Sequence, residues 1–396
     1  MGFTIRVYGF DNKLLDLVKQ ILKTCMLFRN RAKMKSLPDG INDDRFDACL
    51  ETLKRAYRND SLKAKSQVST IRLQCIRKNL WSAPSKLEAL NEITITKFNS
   101  VLDENLKYTS VEAFLHGNFN EENASLAESI IVDAMKSSSM KGGLRKYWPY
   151  REVFKVPCIE NNLSLVLPSK NFQEPNTSVE VYFQISKDDA KTRAIIDLIN
   201  HILYEPMYDQ LRTKEQFGYD VGCGSRWTFG VIGTCFKVTT SNKSADEIIS
   251  RIEKFLQDYR NDLENMPKEE YLGKVIGLAK SKLLMNDSLE EECSSFWDKI
   301  IERTYNWEEN LEDAIQLRGL TKADVIEAYE KYFLPMHGSI ANKRRRLVIQ
   351  VIGVNEGPAS DNRPVMSPDI VTAFIDDTVK SVHESSRYQT WGKLFS

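Results

Sequence analysis

Apolar residues recur at helical spacing through most of this chain and alternate in a few short runs. Leu14, Leu15, Val18, Ile21 and Leu22 share one face of a helix predicted over 12–28. Phe46, Leu50, Leu53 and Tyr57 do the same over 42–58, and further helices are expected at 61–78, 94–106 and 121–136. Residues 3–8 and 110–115 read as strands, the second closed by His116-Gly117-Asn118. Ser137-Ser138-Ser139-Met140-Lys141-Gly142-Gly143 has the composition of a linker. Strands then follow at 152–156, 163–167 and 178–185. Asp188 or Asp189 caps a long helix whose face is Ile195, Leu198, Ile199 and Ile202. Pro206 either opens a restarted helix or kinks this one. Residues 219–238 alternate as two strands with a turn near 226–230. Helices near 244–262, 267–285, 288–306 and 321–335 lead to a last strand at 347–352. A short amphipathic helix near 368–383 interrupts an otherwise irregular tail.

One plan is used twice. Strand, four helices, strand runs from 3 to 116 and again from 231 to 353. Ser61-Leu62 corresponds to Ser288-Leu289 and Ile93-Thr94 to Leu320-Thr321, both pairs 227 residues apart. The first copy lacks the prelude of three strands and a helix found at 151–212, so 1–137 reads as the back part of a domain. The expected division is 1–137, a linker at 138–150, a complete domain at 151–355 and a tail at 356–396. A start inside a strand suggests a segment of a longer protein.

Composition narrows the class. With 42% hydrophobic and 28% charged residues the chain is an ordinary globular one, long enough for two or three cores. Lys+Arg and Asp+Glu both number 55, which argues against a dedicated nucleic-acid binder. No apolar run is long enough to span a bilayer, and no secretory leader is evident. Seven scattered Cys without CxxC spacing fit reduced thiols and a cytoplasmic location.

The search for chemistry is mostly negative. The four His (116, 201, 337 and 383) form no HExxH, HxxEH or Cys/His zinc spacing. His201 reads as a satisfied core residue and His116 as a turn residue. GxSxG, P-loop and post-strand GxGxxG motifs are absent. Gly222-Cys223-Gly224 reads as a bulge or a close backbone approach, and Cys223 and Cys235 as small buried residues. Lys343-Arg344-Arg345-Arg346 reads as a solvated loop before a strand. What remains is the stretch Glu205 to Tyr219, where a helix ends at a Gly and a Tyr opens a strand. Arg212 and Tyr219 stand there as possible donors to a peptide carbonyl, or as a helix cap and a sheet packing residue.

Leu211-Arg212-Thr213-Lys214-Glu215-Gln216-Phe217-Gly218-Tyr219, preceded by Glu205-Pro206, resembles a signature in the C-terminal half of insulin-degrading-enzyme-like peptidases. These belong to the pitrilysin (M16) family of zinc peptidases, the inverzincins. Leu115-His116-Gly117-Asn118, Tyr150-Arg151-Glu152-Val153 and Leu320-Thr321-Lys322-Ala323-Asp324-Val325 fit the same half in the same order. The likeness covers about 3–355 and is weakest in the tail. It implies an α+β fold of two homologous M16-type α/β domains with helices on a mostly antiparallel sheet. These would be the third, truncated at its N-terminus, and the fourth of four domains that close as a clamshell around a peptide.

The resemblance also implies roles. Zinc would sit in the N-terminal half, at an HxxEH motif that this chain lacks, with no cofactor held here. Tyr219 would reach the active site and donate to the developing oxyanion, and Arg212 would contact the bound peptide. Tyr208 would line the substrate cavity. Phe217 stands where the family usually has Leu. The expected function is that of the chamber half of a zinc endopeptidase that degrades peptides, inactive by itself. Its partners would be the zinc-bearing half and peptide substrates, with homodimerisation by analogy only and no role for nucleic acid or membrane. The alternative is a non-catalytic scaffold or peptide-binding subunit that kept the fold.

Overall fold

The computed structural model describes residues 3–27, 43–60, 62–105, 108–137, 141–142, 152–157, 163–335, 344–354 and 390–391. Its helices are α1 (Asp11–Leu27), α2 (Asp43–Arg58), α3 (Ala64–Ile76), α4 (Ala83–Glu92), α5 (Ile95–Asn105), α6 (Glu121–Ser137), α7 (Ala190–Met207), α8 (Ala245–Asn265), α9 (Lys268–Lys282), α10 (Leu289–Glu302), α11 (Glu309–Gly319) and α12 (Lys322–Phe333). Its strands are β1 (Tyr108–Thr109), β2 (Lys141–Gly142), β3 (Val153–Phe154), β4 (Leu163–Pro168), β5 (Thr177–Lys187), β6 (Asp220–Thr228), β7 (Val231–Thr240), β8 (Arg345–Ile352) and β9 (Thr390–Trp391). The expected helix at 368–383, His337 and His383 lie outside the described residues. No described helix is long and apolar enough to cross a membrane.

The chain divides into two compact units. One comprises Met1–Arg58, Ser85–Tyr150 and Asn286–Asp298. It is mostly helical: α1 packs on α6, and its ladder is the two-residue parallel pair β1–β2. Residues 3–8 and 110–115, expected as strands, form no ladder. An alternating sequence becomes a strand only when a neighbour takes its N–H and C=O groups, and no described strand runs beside either segment. Phe3, Tyr8 and Phe10 are accordingly exposed. His116 sits beside Gly117 (φ 127°), stacks on Phe114 and holds its Nε2 3.0 Å from Glu292 Oε2.

The other unit comprises Asn59–Pro84, Arg151–Met285 and Lys299–Ser396. It is built on a five-stranded sheet in the order β4-β8-β5-β7-β6, with β4–β8 parallel and the other pairs antiparallel. Both faces are covered, so β5 is buried along nearly its whole length instead of alternating. Val179, Val181, Phe183 and Ile185 face α7, α8 and α12 in the larger core. Tyr182 points the other way, into a smaller core completed by Val68, Ile71 and Cys75 of α3. Glu180 also faces α3, fully buried; its Oε1 is 2.5 Å from Arg72 Nε and its Oε2 accepts from Ser69 Oγ at 2.6 Å. Burial alone raises the Glu180 carboxyl, but Arg72, Ser69, Cys235 and Lys237 together hold it below the usual carboxylate range.

Arg344, Arg345 and Arg346 of the basic run are not the solvated loop expected; Lys343 lies outside the described residues. Arg344 and Arg346 lie 2.8 and 2.7 Å from the Glu253 carboxylate, and Arg345 Nη1 donates to Val156 O at 2.6 Å. A strand beginning at Arg345 draws these stems against the sheet, where Glu253 of α8 meets them.

Candidate active-site wall

The stretch that carries Arg212 and Tyr219 is positioned by how α7 ends. Asp189 caps its start by accepting from Thr192 N at 2.9 Å, and Ile195, Leu198, Ile199 and Ile202 are buried beneath it as their spacing predicts. Pro206 lies inside the helix, where it cannot donate to the preceding turn. The next seven residues, Tyr208–Lys214, widen into π-helical turns, the kind of distortion that re-aims side chains. Glu215 N then bonds Gln210 O at 3.0 Å, Gln216 takes a left-handed φ of 51°, and Phe217 N closes on Leu211 O at 2.7 Å. Leu211 is fully buried and anchors the turn. The Glu215 carboxylate takes both Arg251 Nε (2.7 Å) and Nη2 (2.5 Å), with Gln210 Nε2 at 2.6 Å. These bonds hold its pKa below the ordinary value.

Gly218 fixes the entry into β6. A Cβ there would lie 2.6 Å from Thr239 O and 2.9 Å from Val238 Cγ1, so the backbone approaches β7 as only Gly permits. Tyr219 N donates to Thr239 O at 3.1 Å. The backbone of Tyr219 is therefore pinned, while its side chain is half-exposed. Burial, Glu174 and Asp220 raise the phenol's pKa against the opposing effect of Lys65, so Tyr219 stays protonated and able to donate.

Arg212 is half-buried, and its Nε is enclosed without a hydrogen-bond partner. Tyr208, also half-exposed, begins the π-helical segment. The sequence-level candidates thus share one helix–strand junction, although no described hydrogen bond joins Arg212, Tyr208 and Tyr219. No group of three His, Cys, Asp or Glu among the described residues is arranged to hold a metal ion. Cys235 is buried as expected and Cys223 only partly so; desolvation chiefly pushes both thiols up, Cys223 to about 12, which makes them poor nucleophiles.

The sequence reading missed a groove of about 730 Å³ between α7, α9 and β6. Its lining includes His201, Tyr204, Glu205, Arg226, Trp227 and Lys274. His201 is exposed there instead of sitting in the core. The signal was present: Asp197, His201, Tyr204, Glu205 and Tyr208 recur at i, i+4, i+7, i+8 and i+11, a polar and aromatic stripe opposite the apolar one. Partial desolvation within the groove and Lys274 lower the His201 pKa against the pull of Glu205, which favours the neutral ring at pH 7.

Known proteins resemble the chain in sequence and in fold. Residues 1–89 match a family model described as the middle or third domain of peptidase M16. Residues 198–297 match one described as the C-terminal lobe domain 4 of PQQ synthase PqqF-like proteins. A nardilysin-like protein of Arabidopsis thaliana is 31% identical over 88% of this chain and 32% of its own length. Human insulin-degrading enzyme is 26% identical over 89% of the chain and 33% of its own length. The chain therefore spans about a third of these relatives. Among solved structures, pitrilysin superposes with a TM-score of 0.71 at 16% identity, covering 97% of this chain and 38% of that one. A peptidase M16 inactive domain from Pseudomonas fluorescens gives 0.53 at 15%, covering 88% and 76%. At these identities the structural likeness speaks for the fold.

Proposed function

Taking as premise that the chain is M16-metallopeptidase-like, we propose that it supplies the C-terminal, substrate-chamber half of a zinc-dependent endopeptidase that degrades peptides. Residues 1–137 are read as the back part of a third M16-type domain, 151–355 as the fourth, and 356–396 as a tail. The observation that carries the reading is Tyr219: a half-exposed, protonated phenol on a backbone pinned by Gly218 and Thr239. Such a hydroxyl donates to a scissile carbonyl as negative charge develops on its oxygen, at little reorganisation cost. Arg212, with an unpaired Nε at the same junction, would hold a flanking peptide carbonyl, and Tyr208 would contact substrate side chains. In this reading the metal and the nucleophile belong to a partner N-terminal half.

The test is complementation. The chain mixed with a separately produced HxxEH-bearing half of the same protein is expected to restore cleavage of a short fluorogenic peptide. A verified, folded complex without activity would return the chain to the scaffold reading. In the active complex Tyr219→Phe is expected to lower kcat by about 10²–10³-fold. A loss below about threefold would leave Tyr219 as a packing residue.

A further inference from the structure

β6 ends the order of the five-stranded sheet, so one of its edges has no described strand beside it. Most of its residues are only partly buried. The backbone groups along such an edge are matched best by another extended backbone. Two of its residues, Gly222 and Gly224, carry no side chain on one face of the strand. A Cβ at Gly222 would sit 3.5 Å from the Tyr204 ring, and one at Gly224 would sit 3.3 Å from Arg226 Nη1. The ring and the guanidinium thus lie over the strand where its own side chains are missing, at the rim of the 730 Å³ groove.

The groove is lined by two acids, Asp197 and Glu205, and two bases, Arg226 and Lys274, and most of these charges are paired. Asp197 accepts from Ser225 Oγ at 2.6 Å and pairs with Lys282 Nζ at 2.5 Å. Glu205 lies 3.3 Å from Lys274 Nζ, and the neutral form of His201 is favoured. Arg226 is left over. Its Nη1 donates to Ser225 O at 2.8 Å, and no described carboxylate forms an ion pair with it. A guanidinium with no described ion-pair partner, beside an open strand edge, suits a carboxylate on an extended chain.

We infer that β6 takes up an extended peptide carrying an acidic residue, its backbone laddered on the free edge and its carboxylate at Arg226. The residue on the groove side next to the acid would pack against Tyr204 and Trp227. This rests on reading the chain as a wall of a peptide chamber, and it names which peptides that wall prefers.

Fluorescence anisotropy of the full chain tests it, using a labelled, end-blocked hexapeptide of alternating Thr and Val with a central Glu. The Glu peptide is expected to bind at least about fivefold more tightly than its Lys counterpart, the effect of about 1 kcal/mol for one partly exposed charge pair. N-methylation of alternate amides in one register, and not in the other, should abolish binding, because only one set faces the edge. Arg226→Gln should erase the Glu preference. If that variant does not fold, as judged by circular dichroism, the Glu/Lys pair and the N-methyl series on the unaltered chain still decide. No binding at 1 mM, no Glu preference, or indifference to N-methylation in both registers overturns the inference. Tyr219-dependent cleavage in the complemented enzyme is a separate readout. If it survives while peptide binding fails, only the β6 assignment falls.

Discussion

The same helical grammar gives opposite outcomes in the two units. In the sheet-bearing unit α7 buries Ile195, Leu198, Ile199 and Ile202 almost completely. In the other, α2 carries Phe46, Leu50, Leu53 and Tyr57 at equivalent spacing and has no buried residue at all. Periodicity specifies which face a helix offers; burial depends on what lies against that face. The first has β6 and β7, whose side chains fill the space beneath it. The second has a two-residue ladder, and its α1 has Leu15 as its buried residue among the described ones. Stability should therefore be unevenly distributed between the units.

Matched truncations put this difference at its largest. Phe236 is fully buried and meets Phe183 and Phe333 edge-on at 5.8 Å each. Phe236→Ala should cost about 3–5 kcal/mol, from lost transfer energy and the cavity left behind. Phe98 pairs with Phe46 at 5.8 Å on a half-open surface, and Phe98→Ala should cost about 1 kcal/mol. Urea unfolding followed by hydrogen exchange assigns each loss to its unit. Equal costs would abolish the contrast.

Ion pairs give the next contrast. Arg72 and Glu180 are buried together, so Arg72→Met strands a carboxylate in an apolar setting and should cost about 3 kcal/mol. Lys97 and Glu92 stand 3.9 Å apart in solvent, and Lys97→Met should cost less than about 1 kcal/mol. If 1 M salt weakened both pairs alike, the Arg72–Glu180 pair would not be shielded from water as its burial implies.

The junction before Tyr219 should show a pH signature. Arg251 hydrogen bonds lower the Glu215 pKa in the folded state. Its stabilisation is complete above the unfolded value of ~4.3 and disappears as pH falls through the lower folded value. Glu215→Gln should cost about 2 kcal/mol at pH 7, the loss of charge-assisted bonds, and progressively less under acid. Denaturation midpoints at pH 7, 4 and 3 that stay equally far apart would remove Glu215 from the account.

Much of the sheet-bearing unit was legible because local and tertiary signals agree there. Asp189, the apolar face of α7, the β6–β7 hairpin and β8 all follow from spacing and turn chemistry. Helix α11 was missed because its inner face contains Asp313, which reads as polar until Arg193 Nε at 2.9 Å and Lys282 Nζ at 3.0 Å neutralise it. Helix α4 was missed because Ala83 is its one buried residue. At the candidate site, Arg212, Tyr208 and Tyr219 are candidates from a motif. The π-helical turns that carry Tyr208 and Arg212 were not legible, since Pro206 admits a kink or a restart. His201 was misplaced because an apolar helix was read as apolar on every side.

Helix caps should erase the contrast between the units. Thr321 opens α12 in the sheet-bearing unit, its Oγ1 accepting from Asp324 N at 3.1 Å. Thr94, 227 residues earlier, opens α5 in the other, its Oγ1 accepting from Lys97 N at 3.2 Å. A cap satisfies a donor of its own first turn, so its worth does not depend on what the rest of the helix packs against. Thr321→Ala and Thr94→Ala should each cost about 1 kcal/mol, locally and to a similar degree. Thr321 has one added support: Asp324 returns a carboxylate to the Thr321 N–H at 3.0 Å, whereas Lys97 has no acceptor to offer. Thr321→Ala should therefore be the larger of the two by a few tenths of a kcal/mol. Hydrogen exchange in the first turns of α5 and α12 measures both, and a markedly greater loss at Thr94 would mean that α5 depends on its cap because little else holds it.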